Sequence, residues 1–110
     1  MNLEFVANWT SQVKKGTLAF LVLKILEGHE YYGYELIEQV RNSTEIEVAE
    51  GTLYPLMNRL KKENLVASKW VEQETGIPRK YYTLTATGKE TLDEMASYWS
   101  KLEKAIQKIK

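Results

Sequence analysis

Apolar residues recur at helical spacing from the start of the chain: Leu3, Phe5, Val6, Trp9 and Val13, then Thr17, Leu18, Leu21, Val22, Ile25 and Leu26. The stretch Leu18–Leu26 is apolar around most of its circumference, as a helix at the centre of a core must be, and Gly28 supplies a stop. Leu3–Val13 is either the first half of this helix or a separate arm, and its Phe5 and Trp9 suit a surface that another chain or segment covers. A second helix is expected over Tyr34–Val40, with Leu36, Ile37 and Val40 inward, Gly33 at its entry and Arg41–Thr44 as the turn after it. A third lies between Ala49 and Glu63. Its apolar stripe is Leu53, Met57 and Leu60, while Gly51, Pro55, Asn58 and Lys62 point away with Arg59 beside them. Pro55 has no backbone N–H, so this helix either begins near Thr52 or begins earlier and bends at Pro55.

After Asn64 the period changes to two. Val66–Glu74 and Arg79–Leu84 read as strands joined by a hairpin tip at Thr75–Pro78. Tyr82 and Leu84 share one face of the second strand; Arg79, Tyr81 and Thr83 share the other. Thr85 or Thr87 caps the next helix, and Thr87 has Glu90 at capping-box spacing. The apolar positions of that helix, Leu92, Met95, Trp99, Leu102, Ile106 and Ile109, alternate in steps of three and four, which is the seam of a heptad repeat. A helix of about 22 residues is about 33 Å long, more than a small domain covers by itself. Pairing with a second chain along Leu92, Met95, Trp99, Leu102 and Ile106 is the expected solution; the alternative is packing back along Leu3–Val13. The order helix, helix, helix, hairpin, long helix predicts a mainly α fold with a small β-hairpin. Residues 1–86 would form a winged helix-turn-helix with an N-terminal helical arm, and residues 87–110 a C-terminal dimerisation helix.

Composition narrows the function. With 110 residues, 44% of them hydrophobic, the chain supports one modest core. No apolar run reaches the ~18 residues of a membrane span. Lys14 and Lys15 precede Leu18–Leu23 as the basic region of a secretion signal would, but Glu27-Gly-His-Glu30 comes next instead of a cleavage site, so the stretch reads as core. The absence of cysteine suits a cytoplasmic protein. Fifteen basic residues balance fifteen acidic ones, yet unevenly: residues 1–50 carry four basic and eight acidic side chains, and residues 51–89 seven basic and three acidic. The middle of the chain is therefore positive, as a surface facing phosphates would be, although an ordinary solvated surface has the same sum. For catalysis there is one histidine, His29, in a polar connection. Glu45, Glu47 and Glu50 read as loop solvation in preference to a metal site. No phosphate-loop spacing occurs, and no catalytic residue, metal or cofactor is expected.

The third helix and the hairpin after it carry a specific pattern: Gly51-Thr-Leu-Tyr-Pro-Leu-Met-Asn-Arg-Leu60, then Asn64-Leu-Val66, then Pro78-Arg-Lys-Tyr-Tyr-Thr-Leu-Thr85 and Gly88, with Tyr32-Gly-Tyr-Glu-Leu36 upstream. In this order and spacing the chain resembles the PadR family of bacterial transcriptional regulators over residues 16 to 92, and the short C-terminal part is similar to its compact branch. The resemblance implies a homodimeric DNA-binding regulator, usually a repressor, whose last helix makes most of the dimer contact. It places Thr52, Tyr54 and Pro55 at the DNA-facing start of the recognition helix, Asn58, Arg59 and Lys62 further along it, and Arg79 and Lys80 at the base of the wing. Members often carry a more basic wing tip; Gln73–Ile77 here is acidic to neutral, which counts against strong minor-groove contact. In some compact members that bind flat aromatic drugs, a tryptophan of the last helix faces the dimer centre, and Trp99 stands at the similar position.

Residue chemistry runs beside this resemblance. Asn58 suits an adenine edge and Arg59 a guanine edge, or either holds phosphate; Lys62 suits phosphate. Gly33 and Tyr34 introduce a helix N-terminus, itself a phosphate site. Trp99 either packs the dimer or bounds an aromatic slot for a planar ligand, with Met95, Trp9 and Phe5 as neighbours. The leading expectation is a dimeric repressor on an inverted-repeat operator in double-stranded DNA. The alternative is a winged-helix module that binds a partner protein and no DNA, which the neutral overall charge and unbasic wing favour.

Overall fold

The computed structural model describes all residues, 1–110. Its elements run α1 (Leu3–Leu26), β1 (Tyr31–Tyr32), α2 (Gly33–Thr44), α3 (Glu50–Lys62), β2 (Val66–Val71), β3 (Arg79–Leu84) and α4 (Ala86–Lys108). The mainly helical architecture with a small antiparallel sheet and a long final helix matches the expected winged helix-turn-helix. No helix is long and apolar enough to cross a membrane.

The two halves of the first apolar stripe form one helix of 24 residues. The Asn2 side chain caps it by accepting from the Phe5 N–H at 2.9 Å. It ends where Gly28 takes a φ of +76°, a left-handed conformation that glycine adopts without a Cβ penalty. Leu18, Val22, Leu23 and Leu26 are buried, and the residues before Thr10 are all exposed, so only the second half of α1 lies in the core.

Two local expectations change. Arg41–Thr44 continues α2 as its last turn instead of forming a loop. Burial of Val40 draws the helix onward, and the Thr44 hydroxyl donates back to the Val40 carbonyl (2.7 Å) and accepts from the Ile46 N–H (3.2 Å). The chain then turns at Glu45, whose φ is +64°. The first wing strand stops at Val71 instead of Glu74, because its pairing with β3 ends at Val71↔Arg79.

The sheet has the order β1-β3-β2, all antiparallel. Sequence periodicity missed β1, which consists of two residues paired Tyr31↔Tyr82 and Tyr32↔Tyr81. It makes the hairpin a three-stranded sheet and anchors the entry of α2 to it. The Pro55 ambiguity resolves toward the earlier start: α3 begins at Glu50 and runs through Pro55. Leu53, Met57 and Leu60 are buried as expected, together with Leu36, Val40, Val66, Tyr82, Leu92 and the α1 residues in a single core.

Thr85, not Thr87, caps α4. Its hydroxyl accepts from the Gly88 N–H (2.9 Å) and donates to the Asn64 carbonyl (2.7 Å), a tertiary bond that Thr87 has no counterpart for. Of the heptad seam, Leu92 is buried and Met95 half-buried, whereas Trp99, Leu102 and Ile106 are exposed. The helix lies against the second half of α1, where the Phe20 and Trp99 rings sit 6.0 Å apart, and not along Leu3–Val13 as a whole. Lys89 ties the two helices at their other end. It donates to Asp93 (2.8 Å) and to the Glu27 carboxylate, and these bonds, Asp93's first, hold its ammonium above the ordinary lysine range.

Candidate nucleic-acid interface

The face of α3 opposite its buried stripe is polar and exposed from end to end: Gly51, Thr52, Tyr54, Pro55, Asn58, Arg59 and Lys62. This arises from the 3.6-residue period, since Leu53, Met57 and Leu60 commit one side to the core and leave the intervening positions to solvent. Between this face and the wing runs a cleft of about 630 Å³. Of the expected site residues, Gly33, Tyr54, Asn58, Arg79 and Lys80 line it, joined by Tyr32, Trp70 and the hairpin tip.

The two cations at the base of the wing, Arg79 and Lys80, are each held over an aromatic ring. The Arg79 guanidinium carbon lies 4.4 Å from the centroid of Tyr32, and Lys80 Nζ lies 5.7 Å from that of Trp70. The two cations are thereby presented at the cleft, and neither is in an ion pair. Trp70 and Tyr32 were not legible as site residues in the sequence. The available signal was an aromatic on the solvent side of a strand, and Trp70 is 68% exposed.

Gly33 has a role other than conformational freedom. A Cβ there would overlap the Tyr54 hydroxyl and lie 2.7 Å from Tyr54 Cζ, so the Tyr54 ring lies directly on the entry of α2 because residue 33 has no side chain. Tyr54 is consequently half core and half surface. Burial, and then the nearby Glu50 carboxylate, push its phenol above the ordinary tyrosine range, keeping a neutral hydroxyl that both donates and accepts. Tyr34 is exposed beside Tyr32, with ring centroids 6.5 Å apart, and does not line the cleft.

Thr52, Pro55 and Arg59 lie on the other flank of α3, in a groove against α1. Lys62 lines neither groove and stands in the last turn of α3, where a cation also complements the helix dipole. Two further hollows flank Trp99, the second of them adjoining the α1 groove at Ile46. One, of about 450 Å³, includes Gly16, Phe20, Met95, Tyr98 and Leu102; the other, of about 470 Å³, includes Val13, Phe20, Leu21 and Ala96. Within one chain, Phe20 and not Trp9 or Phe5 stands against Trp99.

The comparisons with known proteins agree with this geometry. Residues 22–94 match the transcriptional regulator PadR-like family. A crystal structure of a PadR family transcriptional regulator from Eggerthella lenta DSM 2243 is similar with a TM-score of 0.87 and 35% identity, over 96% of this chain and 91% of that one. An uncharacterised protein of Lysinibacillus sphaericus is 30% identical over 98 residues, 87% of this chain and 90% of that protein. The transcriptional regulator YqjI of Escherichia coli strain K12 is 30% identical over 94 residues, and the match spans only 44% of its length. With the family match covering α2, α3, the wing and the start of α4, the chain belongs to the PadR-like family of winged-helix transcriptional regulators, which are DNA-binding proteins and not enzymes.

Proposed function

We propose that the chain is a repressor that binds an inverted-repeat operator as a homodimer, with α3 in the major groove of each half-site. The observation that carries this reading is the exposed polar ridge of α3, from Thr52 through Asn58 and Arg59 to Lys62, facing away from a core that fixes its orientation. Arg59 and Asn58 read base edges; Lys62, Arg79 and Lys80 hold phosphates. The dimer rests on Phe5, Trp9, Leu102 and Ile106, four large apolar side chains that a single chain leaves exposed. In the dimer, the angle of α4 sets the separation of the two recognition helices, which must approach one DNA turn of about 34 Å.

Selection from a random DNA pool and then anisotropy titrations test the reading. Arg59→Ala is expected to cost about 1–3 kcal/mol on the selected site and to relax the preference at one position of each half-site. Lys62→Ala is expected to weaken all sequences alike and to lower the salt slope by about one unit. Equal losses on selected and random DNA for Arg59→Ala would reduce Arg59 to a phosphate contact.

Relief of repression belongs to the hollows at Trp99. A flat aromatic molecule inserted between Trp99 and its two-fold mate buries apolar surface without needing a polar partner, and Phe20 and Met95 bound the space beside it. Titration of such a compound is expected to quench tryptophan emission at about one ligand per dimer. Trp99→Ala is expected to abolish most of this binding and to leave the dimer intact. If the ligand lowers operator affinity by some factor, operator lowers ligand affinity by the same factor.

A further inference from the structure

We propose that Lys14 and Lys15 of α1 hold the sugar–phosphate strand on the side of α3 away from the wing, so that DNA is gripped on both flanks of the recognition helix. The proposal rests on the DNA-binding reading above and adds a second strand contact to it. A groove of about 600 Å³ runs between α1 and α3, and Lys14, Lys15 and Arg59 all line it, with Glu47 as its single carboxylate. None of the three cations is in an ion pair; the lysines and arginines that are paired, Arg41, Lys69 and Lys89, lie elsewhere. Leu18 is among the apolar residues of the groove floor, along which lysine stems lie with their ammonium groups in water.

The helix period places these lysines correctly for the task. Ser11, Lys15 and Leu18 share one face of α1, opposite Val13 and Phe20, which meet α4, and Lys14 stands at the margin of that face, on the stripe that continues to Thr17 and Leu21. Covering the α4 side with a second chain therefore leaves Lys15 open and Lys14 at the edge of the covered face. The dimensions agree as well. An α-helix with its side chains is about 10–12 Å across and the major groove about 12 Å wide, so the two phosphate strands run close along the two sides of an inserted helix. On one side stand Arg79 and Lys80, and on the other Lys14 and Lys15 with the Ser11 hydroxyl.

The test measures affinity of the wild type, Lys14→Gln/Lys15→Gln and Lys14→Arg/Lys15→Arg for selected and random DNA between about 50 and 200 mM salt. Both lysines are exposed, and glutamine is a good helix former, so the fold is retained. The glutamine pair is expected to lose affinity for selected and random DNA by the same factor. Its salt slope is expected to fall by about two units, so that the ratio of wild-type to variant affinity shrinks about tenfold across this range. The arginine pair is expected to restore the wild-type slope. An unchanged slope, or a loss confined to the selected site, would overturn the proposal while leaving DNA binding by α3 intact. A wild-type protein that binds no DNA at any salt would remove both this proposal and the reading beneath it.

Discussion

Replacing Leu102 and Ile106 together by Glu is expected to convert a dimer of twice the 12.8 kDa chain mass into a monomer. Both positions lie beyond the point where α4 leaves the core, with Leu102 37% and Ile106 58% exposed in the single chain. Carboxylates there cost a monomer little, since water reaches them, whereas two facing pairs at a two-fold seam would bring four negative charges into an apolar contact. Sedimentation reports the mass and far-ultraviolet circular dichroism the retained helix. Operator affinity is expected to fall on the order of 10²–10⁴-fold, because each half-site is then bound without the effective concentration its linked neighbour provides. A folded wild-type chain that sediments as a monomer at micromolar concentration would remove the dimer and the spacing mechanism with it.

Gly88→Ala is the second large effect, and here propensity and packing predict opposite signs. Glycine inside a helix is worse than alanine by about 1 kcal/mol, so exchange at an open position is stabilising. Gly88, however, is buried where α4 starts. A Cβ there would overlap the Leu65 carbonyl oxygen and lie 2.8 Å from Leu84 Cδ1 and 2.9 Å from the Leu65 carbonyl carbon. The obstacle is mainly backbone, and that backbone is held: the Leu65 carbonyl accepts from the Thr85 N–H at 3.1 Å, and the Asn64 carbonyl accepts from the Thr85 hydroxyl. Relief requires the first turn of α4 to move off the sheet. Overpacking of this kind costs about 1–3 kcal/mol net, a substantial share of the ~5–15 kcal/mol that holds a small domain together. Urea denaturation is expected to show a lower midpoint for Gly88→Ala and no such fall for Gly51→Ala, where a Cβ meets nothing within 4 Å. An unchanged midpoint at Gly88 would mean that α4 is free to shift.

Much of this protein was legible along the chain. The four helices, the hairpin and their order come from periodicity, because a side chain's burial on a regular element depends on its place in a repeat of 3.6 or 2 residues. The two faces of α3 are set in the same way, by Leu53, Met57 and Leu60, and with them the exposed ridge of candidate DNA contacts. Gly28 and the Thr75–Pro78 tip are local turn chemistry, and Gly76 in the latter takes a φ of +87°.

Everything that joins distant segments was decided by the tertiary structure. Strand β1 has two residues and no period; it exists because Tyr31 and Tyr32 meet Tyr82 and Tyr81. Thr85 and Thr87 are both candidate caps along the chain, with the spacing to Glu90 in favour of Thr87, and the choice falls to Thr85 because Asn64 is within reach of its hydroxyl. Gly33 looks like a helix-entry glycine and Gly88 has no local reason along the chain, yet Tyr54 lies on the first and the Leu65 carbonyl on the second, and only folding brings them there. Within one chain it is Phe20 that stands against Trp99, since α4 meets the buried half of α1 first. Lys14 and Lys15 had no visible purpose beside an apolar stretch until α1 and α3 packed and set them across a groove from Arg59. The chain's local periods specify which face of each element is apolar. Which of those faces meet is specified by the way all of them are buried at once in one core, a condition on the whole molecule that no window of residues contains.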